Sequence, residues 1–347
     1  MNKFFSIIFL FLYCNLAFSQ VINGKIVDEN DMPLYGVTVY FDGTTLGTST
    51  NEEGFFEFNL QSIPNATLVI SYLGYESVYL NSIQSPVNLK LKPNAIALKE
   101  VVLEPIPFTR KEMLEIFREQ FLGKTKGGKN CLILNEDAIQ FSYESKTYKL
   151  TAFADERLKI KNNYLGYLID FELVDFYVLF TKRSVSSQYV KSSFYAGTTF
   201  YTDLSTSEQA YDKNRANSYL GSTMQFFKNL TTNTWGKKEF VLFEGSFATN
   251  PDLFFEVTDY QNVKKVTIKN QEKFTSSFNG NSRFYKSFNL LFDKKDQSKV
   301  TFRTPVFYVD AYGNHTNIDA IDFSGEISKK RFGDMLPTNF VLPTAVN

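Results

Sequence analysis

The stretch that decides the fold is residues 21–58, VINGKIVDENDMPLYGVTVYFDGTTLGTSTNEEGFFEF. Short runs rich in β-branched and aromatic residues alternate here with turn residues, in the Asp28–Pro33 segment, the Asp42-Gly43 dipeptide and the Asn51–Gly54 segment. Asp and Asn side chains bond their own backbone and Gly adopts left-handed conformations, so these residues separate strands. The stretch therefore predicts strands over 21–27, 37–41, 44–50 and 55–58.

The same pattern continues as far as residue 91. Further extended runs cover Leu68–Tyr72, Gly74-Tyr75 and Val87–Leu91. About seven short strands at even spacing are typical of a β-sandwich. We expect residues 20–92 to form a seven-stranded sandwich.

These residues also resemble a known family. The motifs that carry the resemblance are Gly24, Asp28, Pro33-Leu34-Tyr35-Gly36-Val37, Gly43-Thr44, Gly47-Thr48-Ser49-Thr50, Gly54-Phe55-Phe56 and Ser71-Tyr72-Leu73-Gly74-Tyr75-Glu76. Together they resemble the carboxypeptidase regulatory-like domain of exported Bacteroidota envelope proteins. The resemblance implies a transthyretin-like sandwich that serves as a spacer, adaptor or interaction module. It implies no peptidase activity, because the module is similar to the accessory sandwich of metallocarboxypeptidases and not to their zinc-bearing domain.

The segment that follows the sandwich resembles a short segment of another class of protein. Residues 97–103, ALKEVVL, are similar to the tail that follows such modules in TonB-dependent outer-membrane receptors. The chain that remains is too short for the plug and large barrel of those receptors. The sequence therefore excludes a receptor of that kind.

Residues 1–19 have the features of a signal peptide. Lys3 supplies a positive start, an apolar run covers 4–12, and Ala17-Phe18-Ser19 offers small residues for cleavage before Gln20. Lipidation at Cys14 is the alternative, but bulky Leu12 and Tyr13 precede that cysteine. No later segment is apolar over the ~20 residues that a membrane-spanning helix needs. We expect export to the periplasm or the cell surface, with membrane association possible.

Charge excludes one class of partner. The chain has 37 basic and 37 acidic residues, and removal of residues 1–19 takes away only Lys3. A nearly neutral chain has no broad attraction for nucleic acid or anionic lipid. We therefore expect no nucleic-acid partner.

A linker and a helix follow the sandwich. Residues 93–108 are predicted to be a linker, and residues 109–123 a connecting helix. Thr109 and Glu112 have the spacing of a capping box, and Met113, Leu114, Phe117 and Phe121 form one apolar stripe. The stripe predicts that one face of this helix packs in a core.

Residues 124–347 are predicted to be a β-rich domain of unknown function, and the region behind the sandwich is expected to be mostly antiparallel β with one or two helices. Its pieces 121–123, 130–131, 165–167 and 335–337 weakly resemble the uncharacterised C-terminal regions of similar Bacteroidota proteins. A second capping-box pattern at Ser205–Glu208 and an apolar stripe from Tyr219 to Leu230 predict one further helix over 205–230. The predicted strands are 139–143, 148–154, 167–180, 188–200, 239–245, 263–269, 284–292 and 300–309.

The sequence offers few residues for catalysis. His315 is the only histidine, so Ser-His-Asp, Cys-His and multi-His zinc sites cannot be assembled. It follows Gly313-Asn314, which predicts an exposed turn. Ser282 stands in GNSRF, which lacks the last glycine of a nucleophile elbow. Asp28, Glu29 and Asp31 form an acidic turn that we interpret as solvated.

The remaining candidates are one thiol and four acids. Cys131 is the only cysteine behind residue 19, and we interpret it as a buried small hydrophobe. A glycosidase needs only two suitably spaced carboxylates, for which Glu172 with Asp175, or Glu244 with Glu256, are candidates. Acidic residues that alternate with aromatic residues more often lie on the solvent-exposed face of a sheet. We assign no catalytic, cofactor-binding or metal-binding residue and no cofactor.

Three functions remain open at this point. The favoured one is an exported, non-catalytic binding or adaptor protein whose partner is an envelope protein, peptide or glycan. The second is a small outer-membrane β-barrel, which the predicted helix and charged pairs such as Lys264-Lys265 disfavour. The third is a carboxylate-dependent glycoside hydrolase.

Overall fold

The structure is a computed structural model that describes residues 20–60, 66–94, 106–207, 210–269, 272–275 and 282–343. Residues 1–19 and most of the predicted linker lie outside these ranges. The described residues form two compact units. One comprises residues 20–42 and 46–94, and the other comprises residues 43–45 and 106–343.

The first unit is the predicted seven-stranded sandwich. A three-stranded sheet of order β4-β1-β7 and a four-stranded sheet of order β3-β2-β5-β6 make it up. The strands are β1 Gln20–Val27, β2 Thr38–Phe41, β3 Gly47–Ser49, β4 Phe55–Leu60, β5 Leu68–Ser71, β6 Val78–Leu80 and β7 Val87–Lys90. Both sheets contribute alternate side chains to a single core, such as Ile26 and Phe56 from one and Val39 and Ile70 from the other.

The second unit is also mainly β, which confirms the predicted fold class. Its strands are β8 Cys131–Ile133, β9 Ile139–Glu144, β10 Lys149–Ala154, β11 Leu158–Asn162, β12 Tyr167–Phe180, β13 Val190–Asp203, β14 Phe240–Glu244, β15 Phe247–Ala248, β16 Phe255–Tyr260, β17 Val263–Ile268, β18 Glu272–Thr275, β19 Ser282–Phe292, β20 Asp296–Phe302, β21 Val306–Val309 and β22 Ile321–Gly325. Over the described residues it has four helices rather than one or two: α1 Arg110–Leu122, α2 Lys126–Lys129, α3 Asp212–Tyr219 and α4 Thr223–Thr232.

A long central strand organises the first half of this unit. β12 pairs along its whole length with β13, while β11 and β10 pair with its beginning and its end on the opposite edge. Thr109 and Glu112 form the capping box that starts α1. Phe117 and Phe121 of this helix pack on Phe171 and Phe176 of β12.

The second half of the unit has its own core. The sheets β15-β14-β19-β20-β22, to which β18 adds through β19, and β16-β17-β21 supply most of it. Phe226, Phe227 and Leu230 from α4 complete it. Each helix in the described residues is too short or too polar to cross a bilayer.

Two predicted elements of this unit are wrong. The helix predicted over 205–230 is two helices, because Gly221 has a left-handed φ of 73° and Ser222 caps α4 by accepting from the Gln225 N–H. Glu208 of the predicted capping box lies outside the described residues. The strand predicted over 300–309 is interrupted before β21, at Pro305, which has no N–H for a ladder.

Candidate functional site

The strongest candidate site is a cleft in the second unit, which we call the Trp235 cleft. It has a volume of about 340 Å³. The end of α4, the turn around Pro251 and the strands β16 and β17 enclose it. The lining residues that matter below are Thr231, Asn233, Trp235, Asp252, Phe255 and Lys264.

The end of helix α4 positions one wall of the cleft. Asn233 adopts a left-handed conformation with φ 52°, and its N–H donates to the Asn229 carbonyl. Asn tolerates this conformation better than most residues because its short polar side chain bonds locally. The backbone therefore turns sharply at Asn233, and both Asn233 and Trp235 face the cleft.

Trp235 brings an unusual polar group to this site. Its ring packs edge-on against Phe226, with centroids 6.1 Å apart. Its Nε1 is buried, and no described residue accepts a hydrogen bond from it. A buried donor without an acceptor costs about 1–3 kcal/mol, so such groups are rare in stable proteins.

Two more polar groups are available at the cleft. Within the described part of the chain, neither the Asn233 amide nor the Asp252 carboxylate has a hydrogen-bond or ion-pair partner. The Asp252 backbone is nevertheless held in place, since its N–H donates to Asn250 Oδ1. The exposed side chains of Asn233 and Asp252 thus present one amide and one carboxylate that can bond an incoming molecule, whereas Trp235 Nε1 is buried.

The cleft is lined by one carboxylate and one ammonium group, on Asp252 and Lys264. Lys264 is already in an ion pair with Asp259. Asp252 is therefore the charged lining residue that has no ion-pair partner among the described residues.

A second depression lies on the first unit and is a weaker candidate. It covers the outer face of the β4-β1-β7 sheet, with a volume of about 690 Å³, and Phe55 is 51% exposed there. Two of its amide oxygens are already used, because Asn88 Oδ1 accepts from the Lys25 N–H and Asn23 Oδ1 accepts from the Ser85 hydroxyl. Unlike the Trp235 cleft, it has no lining residue with a buried polar atom that lacks a partner among the described residues.

The four candidate acids do not gather in a cleft. Glu172 forms an ion pair with Arg157 at 3.2 Å, and Asp175 is exposed beyond a bulge in β12. Glu244 forms an ion pair with Lys286 at 2.7 Å, whereas Glu256 lies exposed in a different sheet. None of the four carboxylates lines the Trp235 cleft or the depression on the first unit.

The prediction for His315 is wrong, and that for Cys131 is confirmed. His315 is half-buried and stacks on Phe227 with ring centroids 4.0 Å apart, and burial lowers its pKa to about 4. A turn does form at Gly313-Asn314, as predicted, but helix α4 packs over it. Cys131 is buried, and burial raises the pKa of its thiol to about 12.

The acidic turn and the serine motif supply no site. Asp28 Oδ1 accepts from the N–H groups of Asn30 and Met32, and Asp31 forms an ion pair with Lys90 at 2.7 Å. Ser282 opens β19, and the two residues before it lie outside the described ranges. Among the described residues, no three His, Cys, Asp or Glu side chains gather as a metal site would require.

A buried polar cluster joins α2, α3 and the segment after β22. The hydroxyls of Thr125 and Ser218 donate to the Asp334 carboxylate. The Lys330 ammonium donates to the carbonyls of Asn217, Ser218 and Leu220, and burial lowers its pKa to about 8. Because these groups satisfy one another, we interpret the cluster as structural.

The comparison with protein families agrees with the first unit. Residues 22–103 match the model of the CarboxypepD_reg-like domain, which is a non-catalytic sandwich domain. No curated protein matches the chain. The family match ends before α1 and therefore does not extend to the Trp235 cleft.

Proposed function

We propose that this chain is an exported, non-catalytic binding or adaptor protein of the cell envelope, and that it binds its partner in the Trp235 cleft. The partner is an envelope protein, peptide or glycan. The observation that carries this proposal is that the exposed Asn233 amide and Asp252 carboxylate, which have no partner among the described residues, line one cleft together with Trp235. Ligand sites combine apolar walls with a few such groups.

The sandwich supports the same function. A CarboxypepD_reg-like domain supplies no catalytic group, and a rigid β-sandwich is suited to act as a spacer or adaptor. The features of residues 1–19 support export to the periplasm or the cell surface.

The test is capture of envelope components by the immobilised chain, produced without residues 1–19. The cleft variants Asp252→Asn and Asn233→Gly are compared with the control Glu256→Gln, which also neutralises one exposed carboxylate but lies outside the cleft, on β16. Glycine at position 233 keeps the left-handed backbone and removes only the amide. We expect the cleft variants to lose a component that the wild type and the control retain. Equal capture by all four proteins would contradict the proposal.

A further inference from the structure

We infer that the ligand of the Trp235 cleft is a neutral sugar ring, a pyranose unit of a glycan. This inference rests on the proposed function and narrows its partner from three classes to one.

The size of the cleft favours a small ring. Its volume of about 340 Å³ is near the lower end of the roughly 300–1,000 Å³ that is usual for small-molecule sites. One sugar ring with part of its neighbour suits such a space. A folded protein surface would instead require a broad, flat patch.

The electrostatics of the cleft disfavour an anionic ligand. The Asp252 carboxylate would repel an anion, and the only lysine in the lining, Lys264, is already paired with Asp259. A single exposed carboxylate instead accepts hydrogen bonds from the hydroxyls of a neutral ligand.

The hydrogen-bonding groups of the cleft match adjacent hydroxyls. Asp252 accepts only, and the Asn233 amide both donates and accepts. The hydroxyl of Thr231 is placed to donate to the carbonyls of Phe227 and Lys228, so its oxygen keeps acceptor capacity toward the cleft. A carboxylate beside an amide suits the vicinal hydroxyls of a sugar, each of which donates one hydrogen bond and accepts others.

The apolar part of the cleft matches the other surface of a pyranose. Phe255 and Val257 of β16 lie beside Trp235, and Phe255 is anchored in the core. A pyranose has C–H groups across its ring face and hydroxyls around its rim, so aromatic walls and polar edges contact it together.

The chain provides its own reporter for the test, because Trp235 is its only tryptophan. The untagged chain without residues 1–19 is titrated with maltotriose, cellotriose, mannotriose and tri-N-acetylchitotriose while Trp235 emission is recorded. Trigalacturonic acid serves as the charged control and trialanine as the peptide control. We expect a saturable change with at least one neutral trisaccharide and none with either control compound.

The variants connect the signal to the cleft. Removal of one hydrogen bond to a charged group weakens binding by about tenfold or more, so we expect that loss for Asp252→Asn. Asn233→Gly should weaken binding in the same direction, and Glu256→Gln should bind like the wild type. Far-UV circular dichroism checks that each variant is folded.

A second arm covers sugars that are absent from the panel. Deproteinised envelope polysaccharide is titrated before and after periodate oxidation, which cleaves vicinal diols. A periodate-sensitive, protease-resistant signal that Asp252→Asn abolishes supports the inference. A cleft ligand that is protease-sensitive and periodate-resistant overturns the sugar assignment and leaves the proposed function standing. No cleft-dependent binding in any fraction overturns both.

Discussion

At the scale of single residues, His315 links burial to pH. Its folded-state pKa is about 4 because the ring is buried against Phe227, whereas a free imidazole titrates near 6.5. Between these two pH values the unfolded chain binds more protons than the folded chain. His315 therefore does not reduce the free energy of unfolding above pH 6.5. As the pH decreases from 6.5 toward 4, protonation of His315 in the unfolded chain lowers the free energy of unfolding by up to about 3 kcal/mol.

The measurement for His315 needs no resonance assignment, because the chain has one histidine. The C2 proton of the untagged protein should titrate in the NMR spectrum with a midpoint near pH 4. In urea unfolding, His315→Gln should show a weaker loss of stability between pH 6.5 and 4 than the wild type. A midpoint near 6.5 would show that the ring is solvated.

Lys330 gives a second prediction at this scale. Its ammonium donates to three carbonyls at the end of α3, where a helix leaves backbone acceptors unpaired. Lys330→Met removes these hydrogen bonds and should lower the free energy of unfolding by about 3 kcal/mol. Urea unfolding followed by Trp235 fluorescence measures it.

The control for Lys330 is the adjacent lysine. Lys329 is exposed and pairs only with Glu326 among the described residues, so Lys329→Met should change stability by less than about 0.5 kcal/mol. Equal effects of the two substitutions would mean that the carbonyls at the end of α3 do not depend on Lys330.

At the scale of elements, the short helix α2 depends on Gly127. A Cβ on Gly127 would lie 2.2 Å from the Gly333 carbonyl oxygen and 2.9 Å from Asp334 Oδ1. The backbones at 127 and 333 therefore approach too closely for any side chain. Gly127→Ala should lower the free energy of unfolding by about 3 kcal/mol, measured by thermal or urea unfolding.

Gly236 provides the matched substitution for Gly127. No atom lies within 4 Å of a Cβ placed there, and its φ is outside the left-handed region. Gly236→Ala should therefore be neutral or slightly stabilising, since alanine restricts the unfolded chain. A loss of stability as large as that of Gly127→Ala would refute the close-approach argument.

Elements whose signals are local were predictable from the sequence. Turn residues between alternating runs predict the sandwich, and the Thr109 capping box predicts the start of α1. The short strands β8 and β11 were missed because three to five residues show too little periodicity. The break at Gly221 was missed because the apolar stripe continues through it.

The candidate site could not be predicted from the sequence. Asn233, Asp252 and Lys264 come from a helix end, a turn and a strand, and only tertiary packing brings them to one cleft. The only sequence signal was the single tryptophan at position 235. The exposure of His315 was predicted wrongly for the same reason. The turn before it has a local sequence signal, whereas helix α4, which covers that turn, is distant in sequence.

At the scale of the whole molecule, the fate of residues 1–19 is testable. The first strand begins at Gln20 and pairs with β4 from that residue onward. We expect the protein recovered from the exported fraction to have the intact mass of a chain that starts at Gln20. Alkaline carbonate extraction of envelopes should release it into the supernatant.

Two masses would contradict this prediction. A mass that includes residues 1–19 would mean that no cleavage occurs before Gln20. A mass that starts at Cys14 and includes acyl chains would mean that the protein is a lipoprotein, and the pellet would then retain it after carbonate extraction.

The packing of Phe332 determines when the second unit can finish folding. Phe332 is fully buried between Phe121 of α1 and Phe171 of β12, and the neighbouring Arg331 donates to the Gln120 carbonyl across 211 residues of chain. At about 5–20 residues per second, a ribosome needs roughly 10–40 s to cover that distance. During this interval Phe121 of α1 lacks its contact with Phe332, because Phe332 has not yet been synthesised. The seven strands of the sandwich have already been synthesised by then. A nascent chain with such an order of synthesis remains loosely packed long enough for a chaperone or a secretion channel to engage it.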